Sequence, residues 1–277
     1  MRGRTDELNS SSTSEISPDL AEKLISLAQK YESADFLRKD PSQFMHRYGE
    51  AREAETVAFI AANLAFGRRE QILSHVEAIL GAAGDSPSGW ILSKSYENFF
   101  PDNGNSFYRM YTNRDMRVFF SSLRSILEEG GTIGEFFRRK WEVVSSQNGR
   151  GDDAARAVGA ERGIFLHQVI ADSFPRECAL LPHSKDSAAK KVNMLLRWLV
   201  RTDSPVDLGL WTWFDRRGLL MPLDTHVMRQ SNELGLIHSR SANLSTAVAL
   251  TKKAAGIFPD DPLRADFALF GLGVSAG

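Results

Sequence analysis

The residues best placed to do chemistry lie in the stretch Leu220-Met221-Pro222-Leu223-Asp224-Thr225-His226-Val227-Met228-Arg229. Pro222 fixes its own φ and biases Met221 away from helix, so the chain reaches Asp224 extended and starts a helix there. As N-cap, the Asp224 carboxylate can accept the unpaired amides of the first turn, and the positive end of the helix dipole favours its charged form. The product is a rigidly held, charged carboxylate at a loop-to-helix junction. The plain alternative is a helix cap with no further role.

Two cationic groups accompany it. On a helix predicted over 188–201, with Ser187 as N-cap, the residues Lys190, Asn193, Arg197 and Arg201 fall at i, i+3, i+7 and i+11. They form a polar stripe opposite Val192, Leu195, Leu196 and Leu199. No Asp or Glu interrupts that stripe, as a phosphate-facing surface would require; otherwise it is the wet side of an amphipathic helix. The second group is Gly67-Arg68-Arg69-Glu70-Gln71, a tight basic junction between two apolar helices. It offers amides and guanidinium groups to phosphate, or is a solvated turn.

The elements that must position these residues read as helices almost throughout. Residues 1 to about 17 are polar with almost nothing apolar, the composition of a mobile tail. Apolar positions at helical spacing then predict helices over 18–31, 53–66, 69–80, around 89–96, 107–112, 116–128, 133–144, 162–174, 188–201, 225–234, 245–258 and 263–272. Gly67, Gly130-Gly131, Gly235 and the Pro-containing breaks end them. Alternation of β-branched residues is absent almost everywhere, so the chain is expected to be all-α, a single two-lobed helical domain from 18 to 277. The polar stretch 145–160 reads as a lobe boundary or a surface insertion. Trp198, Trp211 and Trp213 read as core bulk rather than base-stacking platforms.

Composition removes several classes of function. The 277 residues carry a formal net charge of −1, which does not suit a protein that simply coats nucleic acid but leaves room for a local basic face. No apolar run of about 18 residues and no signal-peptide pattern is present, so a cytoplasmic location is expected. The lone Cys178 excludes an intramolecular disulfide, a four-cysteine cluster and a cysteine zinc site. The six histidines show no spacing that puts two on one helical face, so no metal is expected.

Three segments together resemble a known bacterial family, the domain of unknown function numbered 2400: Ser187-Ala188-Ala189-Lys190-Lys191-Val192-Asn193-Met194-Leu195-Leu196-Arg197-Trp198, then Pro222 to Val227, then Asp266-Phe267-Ala268-Leu269-Phe270-Gly271-Leu272-Gly273. More distantly they resemble the helix-hairpin-helix DNA glycosylases, of the endonuclease III and archaeal 8-oxoguanine glycosylase types. Lys190 or Lys191 and Asp224 fall where that superfamily has its catalytic Lys and Asp. The hairpin turn departs from it: Leu181-Pro182-His183-Ser184-Lys185-Asp186-Ser187 lacks both glycines of the superfamily's Leu-Pro-Gly-Val-Gly, and the cysteine cluster of endonuclease III is missing.

The resemblance implies a DNA base-excision glycosylase, with AP-lyase activity if a lysine forms a Schiff base while Asp224 stabilises the sugar cation. It implies double-stranded DNA with a damaged base or abasic site as partner, and no cofactor. The DNA-facing set would be Arg68, Arg69, Gln71, Ser187, Asn193, Arg197, Arg201, Thr225, His226 and Arg229, with Gln71 probing the gap left by a flipped base. Two other classes compete: a non-catalytic DNA-lesion or branched-DNA binding protein on the same scaffold, and a helical protein-interaction module.

Overall fold

One helix, α3 (Ala51–Leu64), is buried on every side from Glu53 onward, and the first half of the chain is wound around it. A helix with no wet face must satisfy its polar side chains internally. Thr56 does so by donating to the Arg52 carbonyl one turn back at 2.8 Å, and the Asn63 amide nitrogen donates to the Phe59 carbonyl at 2.9 Å while its Oδ1 is buried without a partner. The two acids cap other helices. Glu53 accepts the Ser88 amide at 2.8 Å and the Ser86 and Ser88 hydroxyls at the start of α5 (Pro87–Leu92). Glu55 accepts the Gly134 amide at 3.0 Å at the start of α8 (Ile133–Gln147) and the Trp211 indole N–H at 2.9 Å. Burial pushes the Glu55 carboxyl above its usual range, and those donors pull against it.

The computed structural model describes residues 16–147 and 165–275. The remaining helices are α1 (Pro18–Tyr31), α2 (Ala34–Leu37), α4 (Arg69–Ala83), α6 (Tyr96–Phe99), α7 (Asn113–Gly130), α9 (Leu166–Asp172), α10 (Lys190–Val200), α11 (Thr225–Glu233), α12 (Leu244–Ala255) and α13 (Arg264–Ser275). A 3-10 segment spans Pro41–Arg47. The expectation of a helical protein holds, with one exception: 106–112 is a two-stranded antiparallel hairpin, β1 (Ser106–Tyr108) and β2 (Tyr111–Thr112), where a helix was expected. Arg109 at the turn has φ +54°, outside helical space. Thr112 and Asp115 then form a capping box that makes 112 the start of α7 rather than the end of an earlier helix.

Buried apolar side chains fall into two clusters. The larger joins α3 to α10 and is rich in aromatic pairs, such as Phe59 stacked on Phe137 at 5.9 Å and Phe100 on Phe120 at 5.3 Å. The smaller joins α1, α11, α12 and α13 through Leu24, Val227, Leu250 and Leu269. Gly271 permits the α1 to α13 packing, since a Cβ there would overlap the Tyr31 ring. The stretch 145–160 lies mostly outside the described residues. Its flanking helices α8 and α9 both contribute to the larger cluster. The expected tail, up to residue 15, is likewise outside the described residues.

The starts of α10 and α9, like those of α3 and α7, differ from expectation. Helix α10 begins at Lys190, not at Ala188, because Ala189 adopts the left-handed conformation (φ 44°, ψ 45°). Ser187 still accepts an amide, that of Ala189 at 3.0 Å, as a turn rather than as an N-cap. The α9 helix starts at Leu166 rather than near 162, with 162–164 outside the described residues.

Candidate active site

A cavity of about 780 Å³ lies where three helices begin. Arg69 of α4, Lys190 of α10 and Thr225 of α11 each open their helix and each line it. Neither Arg68 nor Ala189, the N-cap positions of α4 and α10, provides a side-chain cap. The first-turn amides of these two helices therefore have no capping side chain as acceptor. Phe36, Phe66, Met194, Leu223 and Phe270 give it apolar walls, and Asp40, Asp224, Asp266, Arg197, His226 and Arg240 join Arg69 and Lys190 as its charged or titratable lining.

Asp224 is held as the local sequence dictates. Its backbone is extended (φ −106°, ψ −179°) and Oδ1 accepts the Val227 amide at 2.7 Å, while Val227 and Met221 are buried on either side. The Met221 amide is tied to the Thr251 hydroxyl at 2.9 Å, which fixes the approach to the cap. Among the described residues Oδ2 accepts no hydrogen bond. Lys190, on the same cavity, enters no ion pair among the described residues.

Lys191, the next residue, is elsewhere. Its Nζ donates to the carbonyls of Leu180 at 2.6 Å and Asn63 at 3.1 Å and to the Tyr111 hydroxyl at 2.8 Å. It lies over the Phe66 ring at 5.7 Å, behind the cavity wall. Burial among neutral acceptors pushes this amine down to about 8.

The polar stripe of α10 is not a wet face. Arg197 pairs with Asp266 and with Asp207 at 3.2 Å, both partners being buried. Arg201 pairs with Asp207, with Asp261 at 2.8 Å and with Glu32 at 2.7 Å. Asn193 is buried and donates to the Ala188 carbonyl at 2.8 Å. The expectation that Asn193, Arg197 and Arg201 face phosphate is therefore corrected: the two arginines are engaged by Asp207 of the loop after α10, Glu32 just past α1, Asp261 just before α13 and Asp266 within it, and Asn193 by the preceding Ala188 carbonyl. Arg197 reaches the cavity wall already engaged. Burial raises Asp266, Arg197 opposes, and the nearby charge of Asp224 raises it further, so its carboxyl is pushed up to about 6.

The remaining candidates divide. Thr225 and His226 line the cavity, the His226 ring edge-on to Phe270 at 5.8 Å. Arg68 and Gln71 are exposed and are not part of its wall. Ser187 is outside it, and Arg229 is drawn aside by the Gly273 carbonyl at 2.9 Å. Asp266, Phe66 and Arg240 were not singled out as site residues from sequence. Asp266 sits within a quoted motif, so its helical register against α10 was the available signal.

Gly67 closes the wall. Its φ is +100°, and a Cβ would lie 2.8 Å from Arg109 Nη1 and 3.0 Å from the Tyr108 hydroxyl, so only glycine fits without movement.

A family model described as "Protein of unknown function (DUF2400)" matches residues 40–275. The chain belongs to this family. The match takes in Lys190, Asp224 and Asp266 together, and leaves α1 outside although α1 packs along α13. Neither the curated proteins nor the solved structures gave a match. Among the described residues no three His, Cys, Asp or Glu side chains are grouped to hold a metal ion, and no helix is long and apolar enough to cross a membrane.

Proposed function

We propose that this chain is a DNA base-excision glycosylase with an AP-lyase step, acting on a nucleotide turned out of the duplex into the cavity. The observation that carries the reading is that Lys190, in no ion pair among the described residues, and the capped carboxylate of Asp224 line one cavity at neighbouring helix starts. A base can be reached by such a site only outside the stack. Breaking its glycosidic bond leaves positive charge on the deoxyribose, which the fixed anion of Asp224 stabilises without reorganising. The amine of Lys190 attacks C1′ as the base departs with the bonding pair, and the proton released by the nitrogen goes to the departing base; O4′ takes a proton from water as the ring opens to the Schiff base, and loss of a C2′ proton then expels the 3′-phosphate and cuts the strand. Arg68, Arg69 and Arg240 enter no ion pair among the described residues and would meet backbone phosphates around the opening.

The test is a panel of oligonucleotides carrying single damaged bases or abasic sites, with borohydride added during turnover. Wild type should be trapped as a covalent adduct and Lys190→Ala should not. Asp224→Asn keeps a competent cap, so it should fold and bind DNA while losing at least about 100-fold in rate. Unchanged activity in Asp224→Asn would remove its catalytic role, and trapping that survives Lys190→Ala would remove Lys190 as the nucleophile.

A further inference from the structure

Asp266 is buried, yet it lines the cavity that holds Lys190 and Asp224. It stands in the first turn of α13, and Gly273 lets that helix close on α11, since a Cβ there would lie 2.7 Å from His226 Cβ. Its Oδ2 accepts from Arg197, and among the described residues its Oδ1 accepts no hydrogen bond. The cavity's other two acids are committed to caps. Asp40 Oδ1 takes the Ser42 amide at 3.0 Å and the Ser42 hydroxyl at 2.6 Å at the start of the 3-10 segment, and Asp224 Oδ1 takes the Val227 amide. Both caps are strongest ionised. Asp266 caps nothing and can change its charge at small cost. Arg197 is shared with Asp207 at 3.2 Å, so a protonated Asp266 leaves that buried cation paired. Burial works against the ionised form, Arg197 supports it and the charge of Asp224 opposes it again, which leaves the carboxyl at about 6, suited to accepting a proton at neutral pH.

Strand cleavage at this site requires a group that takes the C2′ proton, and neither Lys190, bound up in the Schiff base, nor the capping Asp224 is free to be it. Resting on the lyase reading above, we infer that Asp266 is the base of the elimination, accepting the C2′ proton after Lys190 has formed the Schiff base. The C2′–H pair becomes the C1′=C2′ bond and the iminium pair moves onto the Lys190 nitrogen, giving a neutral enamine. That nitrogen pair then re-forms the iminium, C2′=C3′ forms, and the C3′–O pair leaves with the 3′-phosphate. Asp266 passes its proton to water. Proton uptake also relieves the repulsion between Asp266 and the neighbouring charge of Asp224, so the step is favoured by the same anion that stabilised the sugar cation before it. His226 lines the same cavity, but its ring packs edge-on to Phe270 and no hydrogen bond among the described residues orients it, whereas Asp266 is held by Arg197.

The experiment gives the full chain a duplex with a single abasic site under single-turnover conditions and reads Schiff base as adduct trapped by borohydride and elimination as strand cleavage without it. Wild-type cleavage should rise with pH and level off above about 6, a bend that trapping does not share. Asp266→Asn should trap as wild type does, cleave about 100-fold more slowly and lose the bend. Asp266→Glu, which keeps a carboxylate beside Arg197, should recover part of the cleavage and keep a bend. Asp266→Asn that cleaves at the wild-type rate overturns the assignment, as does Asp266→Asn that loses trapping along with cleavage. Should Asp266→Asn not fold, wild type and Asp266→Glu decide: cleavage without a bend, or a bend shared with trapping, overturns it. Release of damaged bases is read separately. A wild type that traps and cleaves the abasic duplex with this bend but releases no base removes the glycosylase reading and keeps Asp266. Normal base release with cleavage unchanged in Asp266→Asn removes Asp266 alone, and a wild type that traps nothing removes both.

Discussion

Arg201→Gln separates a buried scaffold arginine from a phosphate contact, and the structure sets its size. Arg201 is the cation shared by Glu32, Asp207 and Asp261. Two of these keep another partner when it goes: Asp207 retains Arg197 at 3.2 Å and Glu32 retains Arg264 at 3.3 Å. Asp261, which is buried, retains no cation among the described residues. The variant therefore orphans one buried carboxylate, a change that costs about 3–5 kcal/mol, a large share of a total stability of about 5–15 kcal/mol. Urea unfolding at pH 7 should show that loss. An orphaned carboxyl takes up a proton more readily folded than unfolded, so the added stability is present at low pH and lost as pH rises; the penalty should shrink between pH 7 and pH 5. Adding Asp261→Asn should recover part of it, as a coupled pair requires. A loss below about 0.5 kcal/mol together with weaker DNA binding would refute the buried-network account and return Arg201 to the surface.

Two further outcomes follow from buried groups. Burial pushes the Lys191 amine down to about 8 in the folded chain, from the ordinary lysine value of 10.5, so the unfolded chain binds more protons between those values. Stability should rise with pH across about 8 to 10.5 and be lost again as pH falls through about 8, by at most about 3 kcal/mol; thermal unfolding of wild type against Lys191→Met across that window should show the slope in wild type alone, and parallel curves would mean the amine titrates normally. Gly134→Ala would set a Cβ 2.5 Å from Glu55 Oε1 and 2.6 Å from Trp211 Nε1, so overpacking should cost about 1–3 kcal/mol by urea unfolding, and a neutral substitution would mean the capping pair has room to move.

Much of the helical frame was legible because burial and spacing agree. In α4 the stripe read from the sequence, Ile72, Val76, Ile79 and Leu80, is the set that is buried. Asp224 was equally legible, since Pro222 and the following apolar positions act locally. What failed was non-local. The α10 stripe gave the correct face, but periodicity cannot distinguish water from four carboxylates supplied by Glu32, Asp207, Asp261 and Asp266. The hairpin was missed because Phe107, Tyr108 and Tyr111 satisfy helical spacing, while the strand choice rests on Tyr108 reaching the Phe66 carbonyl 42 residues earlier.

The pair Lys190-Lys191 shows how one residue of register divides two roles. Consecutive helical side chains diverge by about 100°, so when Lys190 lines the cavity its neighbour must point elsewhere. It points behind Phe66, where its three donors meet three neutral acceptors from α3, β2 and the loop before α10. To reach the cavity Lys191 would have to give up all three hydrogen bonds and pass the Phe66 ring. Its lowered proton affinity, which alone would suggest a nucleophile, comes from that enclosure and is useless to a substrate outside it. The lyase step proposed for this site therefore belongs to Lys190, with Lys191 clamping the wall that carries Phe66 and the hairpin.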